Sequence, residues 1–138
     1  MMQTFLPYSD FQKSAKVLDY RRLGKQRVEA LQILKALQVE NYGWRNHPIV
    51  KMWKGYESAL IDYKNCMIEE WINRGYNNNM GMETNIGTRV YPHWLGNEQL
   101  HASHRSNLLK KDYDYYSQFN WQEEPGRDYI WILPEDKS

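Results

Sequence analysis

Two short basic segments carry the side chains best suited to holding a polyanion: RRLGKQR from Arg21 and SHRSNLLKK from Ser103. In the first, Arg22, Lys25 or Gln26, and Glu29 fall three or four residues apart, so on a helix they share one side. Two cations then stand beside one carboxylate, away from the apolar stripe of Leu23, Ala30 and Leu34. Arg27 falls within that stripe and must either snorkel out or find a paired, hydrogen-bonded site. The ordinary alternative is a solvated helix face with i,i+4 ion pairs. In the second segment, His101, His104 and Arg105 project from adjacent turns, with Lys110 and Lys111 near the end. Ser103, Ser106 and Asn107 sit among them, and such side chains commonly contact phosphate oxygens. A third group, Trp44, Arg45, Asn46 and His47, can stack, pair and hydrogen-bond just ahead of a helix. A metal-dependent hydrolase built on His93, His101 and His104 is a competing possibility. No HExxH or carboxylate–His pattern supports it and Cys66 is isolated, so neither metal nor cofactor is expected.

These side chains need elements to position them. Ser9 can cap a helix over residues 10–18. The clearest helical pattern runs from Asp19 to Leu37, with Gly24 marking a bend or a close backbone approach. Asn46 is a candidate cap and Pro48 a helix start for a long pattern over 48–74, with a break open at Gly55 and a stop at Arg74-Gly75. About twenty irregular residues follow, and residues 97–111 resume as helix. After Tyr113 the tail is aromatic and irregular, with YIWIL a short extended segment packed back on the body. The expectation is an all-α fold: one domain over 1–138, three main helices, long irregular connections and an aromatic C-terminal tail.

Composition sets the bounds. A chain of 138 residues with 41 % hydrophobic residues can bury one core. No apolar run approaches the roughly 20 residues a membrane span needs. One cysteine permits no internal disulfide, which points to a reducing, cytoplasmic setting, and a monomer is expected. The net charge of +1 conceals an asymmetry, because the last 18 residues hold five acids and two bases and leave the remainder basic. Eleven Tyr and six Trp against three Phe favour half-exposed aromatic positions with a polar handle.

The order YRRLGK, YPHW, HRSNLLKK and the aromatic DYDYY resembles the pyrimidine-dimer DNA glycosylases of the phage endonuclease V type. MQTFLPY, LGKQRVEALQIL, GWRNHP and SHRSNLL are similar to one branch of that family. The resemblance implies a mostly helical protein acting on double-stranded DNA, with an N-terminal strand threaded between helices. It also implies an α-amine that attacks the sugar C1′ of a damaged nucleotide and forms a Schiff base. Here that amine belongs to Met1, or to Met2 if translation starts there, and an α-amine near pKa 8 is partly unprotonated at neutral pH. The family's DNA-gripping positions map onto Arg21, Lys25, Arg105 and Lys110, and its lesion-seating aromatics onto Tyr113, Tyr115 and Tyr116. One departure matters: Arg22 stands where the family carries its catalytic glutamate. Glu29, about two turns on, is the nearest carboxylate on that side.

The expectation is therefore a DNA glycosylase, with abasic-site lyase activity as an added step, acting on a damaged or modified pyrimidine. Met1 or Met2 and Glu29 are the catalytic candidates, and Arg21, Arg22, Lys25, Arg45, Arg105 and Lys110 the DNA-binding ones. Trp44, His47, His104, Tyr113, Tyr115 and Tyr116 are candidates to receive an extruded base. The alternative from another class is a non-catalytic DNA-binding module that kept the fold.

Overall fold

The computed structural model describes residues 2–39, 42–83 and 88–134. Six α-helices follow in order: α1 (Phe11–Val17), α2 (Tyr20–Gln38), α3 (Pro48–Trp53), α4 (Glu57–Asn73), α5 (Glu98–Lys111) and α6 (Tyr113–Tyr116), then a 3-10 turn at Ser117–Phe119. The fold is all-α, and three of the helices (α2, α4 and α5) are long. The local signals account for most boundaries. Asp10, rather than Ser9, caps α1 by accepting from the Lys13 amide at 2.8 Å. His47, rather than Asn46, caps α3 through Nδ1, with Pro48 at the first helical position. The 48–74 pattern is two helices, because Gly55 turns left-handed (φ 86°) between α3 and α4. Arg74 closes α4, pairs with Glu70 at 2.8 Å and donates to the carbonyls of Ala15 and Lys16, tying α4 to the end of α1.

The packing of α2 against α4 forms the centre, where Leu23, Ala30, Leu34, Leu60, Tyr63 and Met67 are buried. Gly24 is a close-approach residue: a Cβ there would meet the Trp71 ring at 3.0 Å. Arg27 resolves its placement in the stripe by lying over the Trp71 ring at 4.2 Å and donating to Asn78 at 2.8 Å.

An extended segment, Met2–Leu6, runs through this helical core and is buried throughout. Among the described residues it has no sheet neighbour, so its backbone groups must find partners elsewhere. Side chains from three helices supply them. Gln26 of α2 accepts from the Phe5 amide (2.9 Å) and donates to the Gln3 carbonyl (3.0 Å). Tyr63 of α4 donates toward the Phe5 carbonyl (2.9 Å). From α5, His104 Nδ1 accepts from the Leu6 amide (2.9 Å), His101 Nδ1 faces the Leu6 carbonyl (2.7 Å), and Arg105 donates to the Pro7 carbonyl (2.8 Å).

Candidate functional site

The same α5 is thus largely a structural rod. Arg105 is 8 % exposed, and its guanidinium pairs with Glu98 and Glu123 and donates to the Pro7 carbonyl, so these contacts hold it within the fold. His104 is buried, its Nδ1 accepts from the Leu6 amide, and burial pushes its pKa down to about 3. Its neighbours Ser103, Ser106 and Asn107 are also engaged. They bond to the backbone of Glu124, Arg127 and Ile130 and strap the C-terminal tail along the helix. The tyrosines of the tail divide. Tyr116 is fully buried, with its hydroxyl on the Asp19 carboxylate and amide, and Tyr115 is half-buried near the Leu18 carbonyl. Tyr113 remains exposed on α6.

No group of three His, Cys, Asp or Glu side chains among the described residues could hold a metal ion. His101 and His104 direct their Nδ1 atoms at Leu6, and His101 Nε2 also accepts from the Gly96 amide. His93 instead meets Tyr56 at 3.1 Å.

The first basic segment behaves differently. A groove of about 980 Å³ runs along the outer side of α2. It is lined by Arg21, Arg22, Lys25 and Glu29 from α2, by Gln3 of the extended segment, and by Lys111 of α5. Arg21, Lys25 and Lys111 are exposed, whereas Arg22 is partly held by Asp19 at 3.2 Å. Lys111 lines the groove, whereas the chain of the exposed Lys110 packs beside Gly126. The adjacent lysines at the end of α5 were the available signal, but only the helix phase could choose between them.

Glu29 sits within this cationic groove. Burial pushes its carboxyl up to about 7, while Lys25 and Lys111 pull the other way. Gln26 donates to its Oε2 at 2.6 Å while the same amide nitrogen donates to the Gln3 carbonyl. One buried amide therefore ties the start of the chain to the carboxyl. Met2, next to that anchored carbonyl, is buried in the core, and Met1 lies outside the described residues. A carboxyl titrating near neutrality, ringed by cations and open to a groove, can exchange protons with a bound polyanion or stabilise a cation formed on it.

Trp44, Arg45 and His47 stand apart from the groove lining. Trp44 is 55 % exposed with a left-handed backbone (φ 76°), a conformation that strains a bulky residue. Its ring meets His47 edge-on, His47 meets Trp131, and Trp131 meets Tyr129, which reaches the groove. Arg45 is exposed beside it.

No helix among the described residues is long and apolar enough to cross a membrane. A family model described as pyrimidine dimer DNA glycosylase matches residues 2–84, more than half of the 138 residues. Comparison with curated proteins and with solved structures gave no match.

Proposed function

The chain belongs to the pyrimidine dimer DNA glycosylase family, and from that premise we propose that it excises a damaged or modified pyrimidine through Glu29 and an N-terminal amine. The observation that carries this reading is the Gln26 bridge, which holds Gln3 and the Glu29 carboxyl together within the basic groove. Two or three residues span the chain from the α-amine of Met2 or Met1 to the Gln3 carbonyl, about 6–10 Å when extended.

In the proposed reaction the free amine attacks C1′ and the glycosidic electron pair leaves with the base, which takes a proton from solvent. The Glu29 carboxylate stabilises the positive charge developing on the sugar and accepts a proton from the attacking amine. It passes that proton to the ring oxygen as the C1′–O4′ bond opens, leaving an iminium between chain and sugar. Loss of a C2′ proton and departure of the 3′ phosphate would then complete the lyase step. Arg21, Lys25 and Lys111 hold the flanking phosphates, with Arg22 assisting while it remains paired to Asp19. Arg45 extends the contact surface, and Trp44 with His47 offers one place for a base leaving the stack.

Borohydride trapping on an abasic-site duplex tests the mechanism. A covalent adduct whose mass maps to the N-terminal peptide is expected, and N-terminal acetylation should abolish it. No adduct, with activity unchanged by acetylation, would eliminate the amine.

A further inference from the structure

The turn ahead of α3 presents a large ring to solvent in a backbone conformation that costs energy. Gly43, Trp44, Arg45 and Asn46 are all exposed, while Tyr42 and His47 on either side are half-buried. Trp44 takes no part in the core cluster, and its φ of 76° is one that a bulky residue adopts only where its surroundings impose it. Two hydrogen bonds hold the turn. The His47 amide donates to the Trp44 carbonyl at 2.9 Å, and His47 Nδ1 accepts from the Ile49 amide at the start of α3. The tip is therefore a fixed knob that carries an indole. Its surroundings suit a polyanion, because residues 42–54 carry Arg45, Lys51 and Lys54, all exposed, and no Asp or Glu. The tip also stands beside the groove. Trp44 meets His47 with ring centroids 6.1 Å apart, His47 meets Trp131 at 5.8 Å and Trp131 meets Tyr129 at 5.6 Å, and Tyr129 lines the groove with Glu29. Three such steps place the tip within roughly five base-pair rises of 3.4 Å from the groove wall.

We propose that Trp44 is a wedge: when duplex DNA lies in the groove, its ring enters the stack between two base pairs beside the reacting nucleotide. The inference rests on the DNA reaction proposed above and sharpens the part given there to Trp44. A nucleotide that stays stacked in a duplex keeps its sugar out of reach, so unstacking must be supplied before the amine can meet C1′. A side chain that fills the opened step offsets the lost stacking and kinks the duplex. Three features suit Trp44 to this task. Its ring is large, flat and uncovered, so insertion uncovers nothing in the core. Arg45, the next residue, would hold the phosphate beside the opened step, with Lys51 and Lys54 for those farther along. The turn is already fixed by its own hydrogen bonds, so little ordering remains to oppose insertion.

The test measures binding to two duplexes with a central tetrahydrofuran abasic analogue, which the enzyme can bind but not cleave. One duplex is fully paired on both sides of the analogue. In the other the flanking pairs are mismatched, so the stack there is already open. Trp44→Gly removes the ring, and its urea midpoint should not fall, because glycine takes a positive φ without strain. It should bind the paired duplex about tenfold or more weakly than wild type and the opened duplex equally well. Trp44→Leu should recover most of that loss, since a wedge needs apolar bulk whereas a stacking surface needs a π face. Equal affinities of Trp44→Gly and wild type for the paired duplex would overturn the wedge. So would a loss of the same size on the opened duplex, Trp44→Leu binding as weakly as Trp44→Gly, or wild-type protein that binds neither duplex. Borohydride trapping on an ordinary abasic-site duplex reads the amine chemistry separately: binding as expected without trapping would sink the reaction mechanism and leave the wedge standing.

Discussion

Replacing Gln26 by Leu should test the clamp on the extended segment most directly. Leu fills similar space but removes the acceptor for the Phe5 amide and the donor to the Gln3 carbonyl, both within the buried segment. Tyr63 keeps the Phe5 carbonyl as a partner, and Glu29 faces the groove, so the main cost falls on two stranded backbone groups. At about 1–3 kcal/mol for each, the loss is about 2–6 kcal/mol. Against a typical stability of about 5–15 kcal/mol, this variant folds over most of that range but with a much lower urea midpoint. Equilibrium urea unfolding gives the loss, and native-state amide exchange at Phe5 reports whether the segment itself has loosened. Trapping on an abasic duplex should slow as well, because Gln3 no longer keeps the start of the chain beside Glu29. A loss below about 1 kcal/mol with Phe5 protection intact would refute the idea that Gln26 holds the segment in place.

Glu29→Gln should lower turnover by about 10²–10⁴-fold while duplex affinity stays the same, and the wild-type rate should fall as pH drops through about 7, where the carboxylate protonates. Equal turnover of variant and wild type on a cleaved substrate would remove Glu29 from the reaction; no cleavage by either, on any lesion, would favour a pure binding module. Buried neutral His101 and His104 have lowered folded pKa values, so their stabilisation is complete above the unfolded value of 6.5 and is lost as pH falls below it. Glu29 acts in the opposite sense between 4.5 and about 7, so Glu29→Gln should steepen the loss of stability on acidification, as measured by urea midpoints across that range. Arg105→Met should destabilise by about 3–5 kcal/mol, since Glu98 and Glu123 lose their shared cation, yet leave the salt dependence of DNA binding unchanged. Lys25→Ala should do the reverse, reducing the salt slope by about one with little change in unfolding. Gly24→Ala should destabilise despite Ala's better helix propensity, because its Cβ would press on Trp71 at 3.0 Å, and the melting temperature reads the sign.

Much of the fold was legible because it is written locally. Apolar spacing marked α2, Arg74-Gly75 closed α4, and Gly55 stood where the long pattern breaks into two helices. The caps were misplaced by one residue at Asp10 and His47, since neighbouring side chains of similar chemistry compete for the same amide. The three to four residue spacing was enough to put Glu29 beside the cations of α2, where the groove places it.

The sequence by itself determined a helical protein with a basic, carboxylate-bearing face on α2, because helix periodicity depends only on residues a few positions apart. Only the tertiary structure decided what SHRSNLLKK does. Its histidine and arginine have the residue types of a phosphate grip, but they turn inward to backbone groups 98 positions away in the chain. Burying an extended segment without a sheet leaves amides and carbonyls that must be matched, and α5 passes close enough to match them. The demand arises from chain passages distant in sequence, so no local pattern could reveal it. The basic segment that lines an open groove is the one on α2, completed by Lys111 at the end of the helix that holds the fold together.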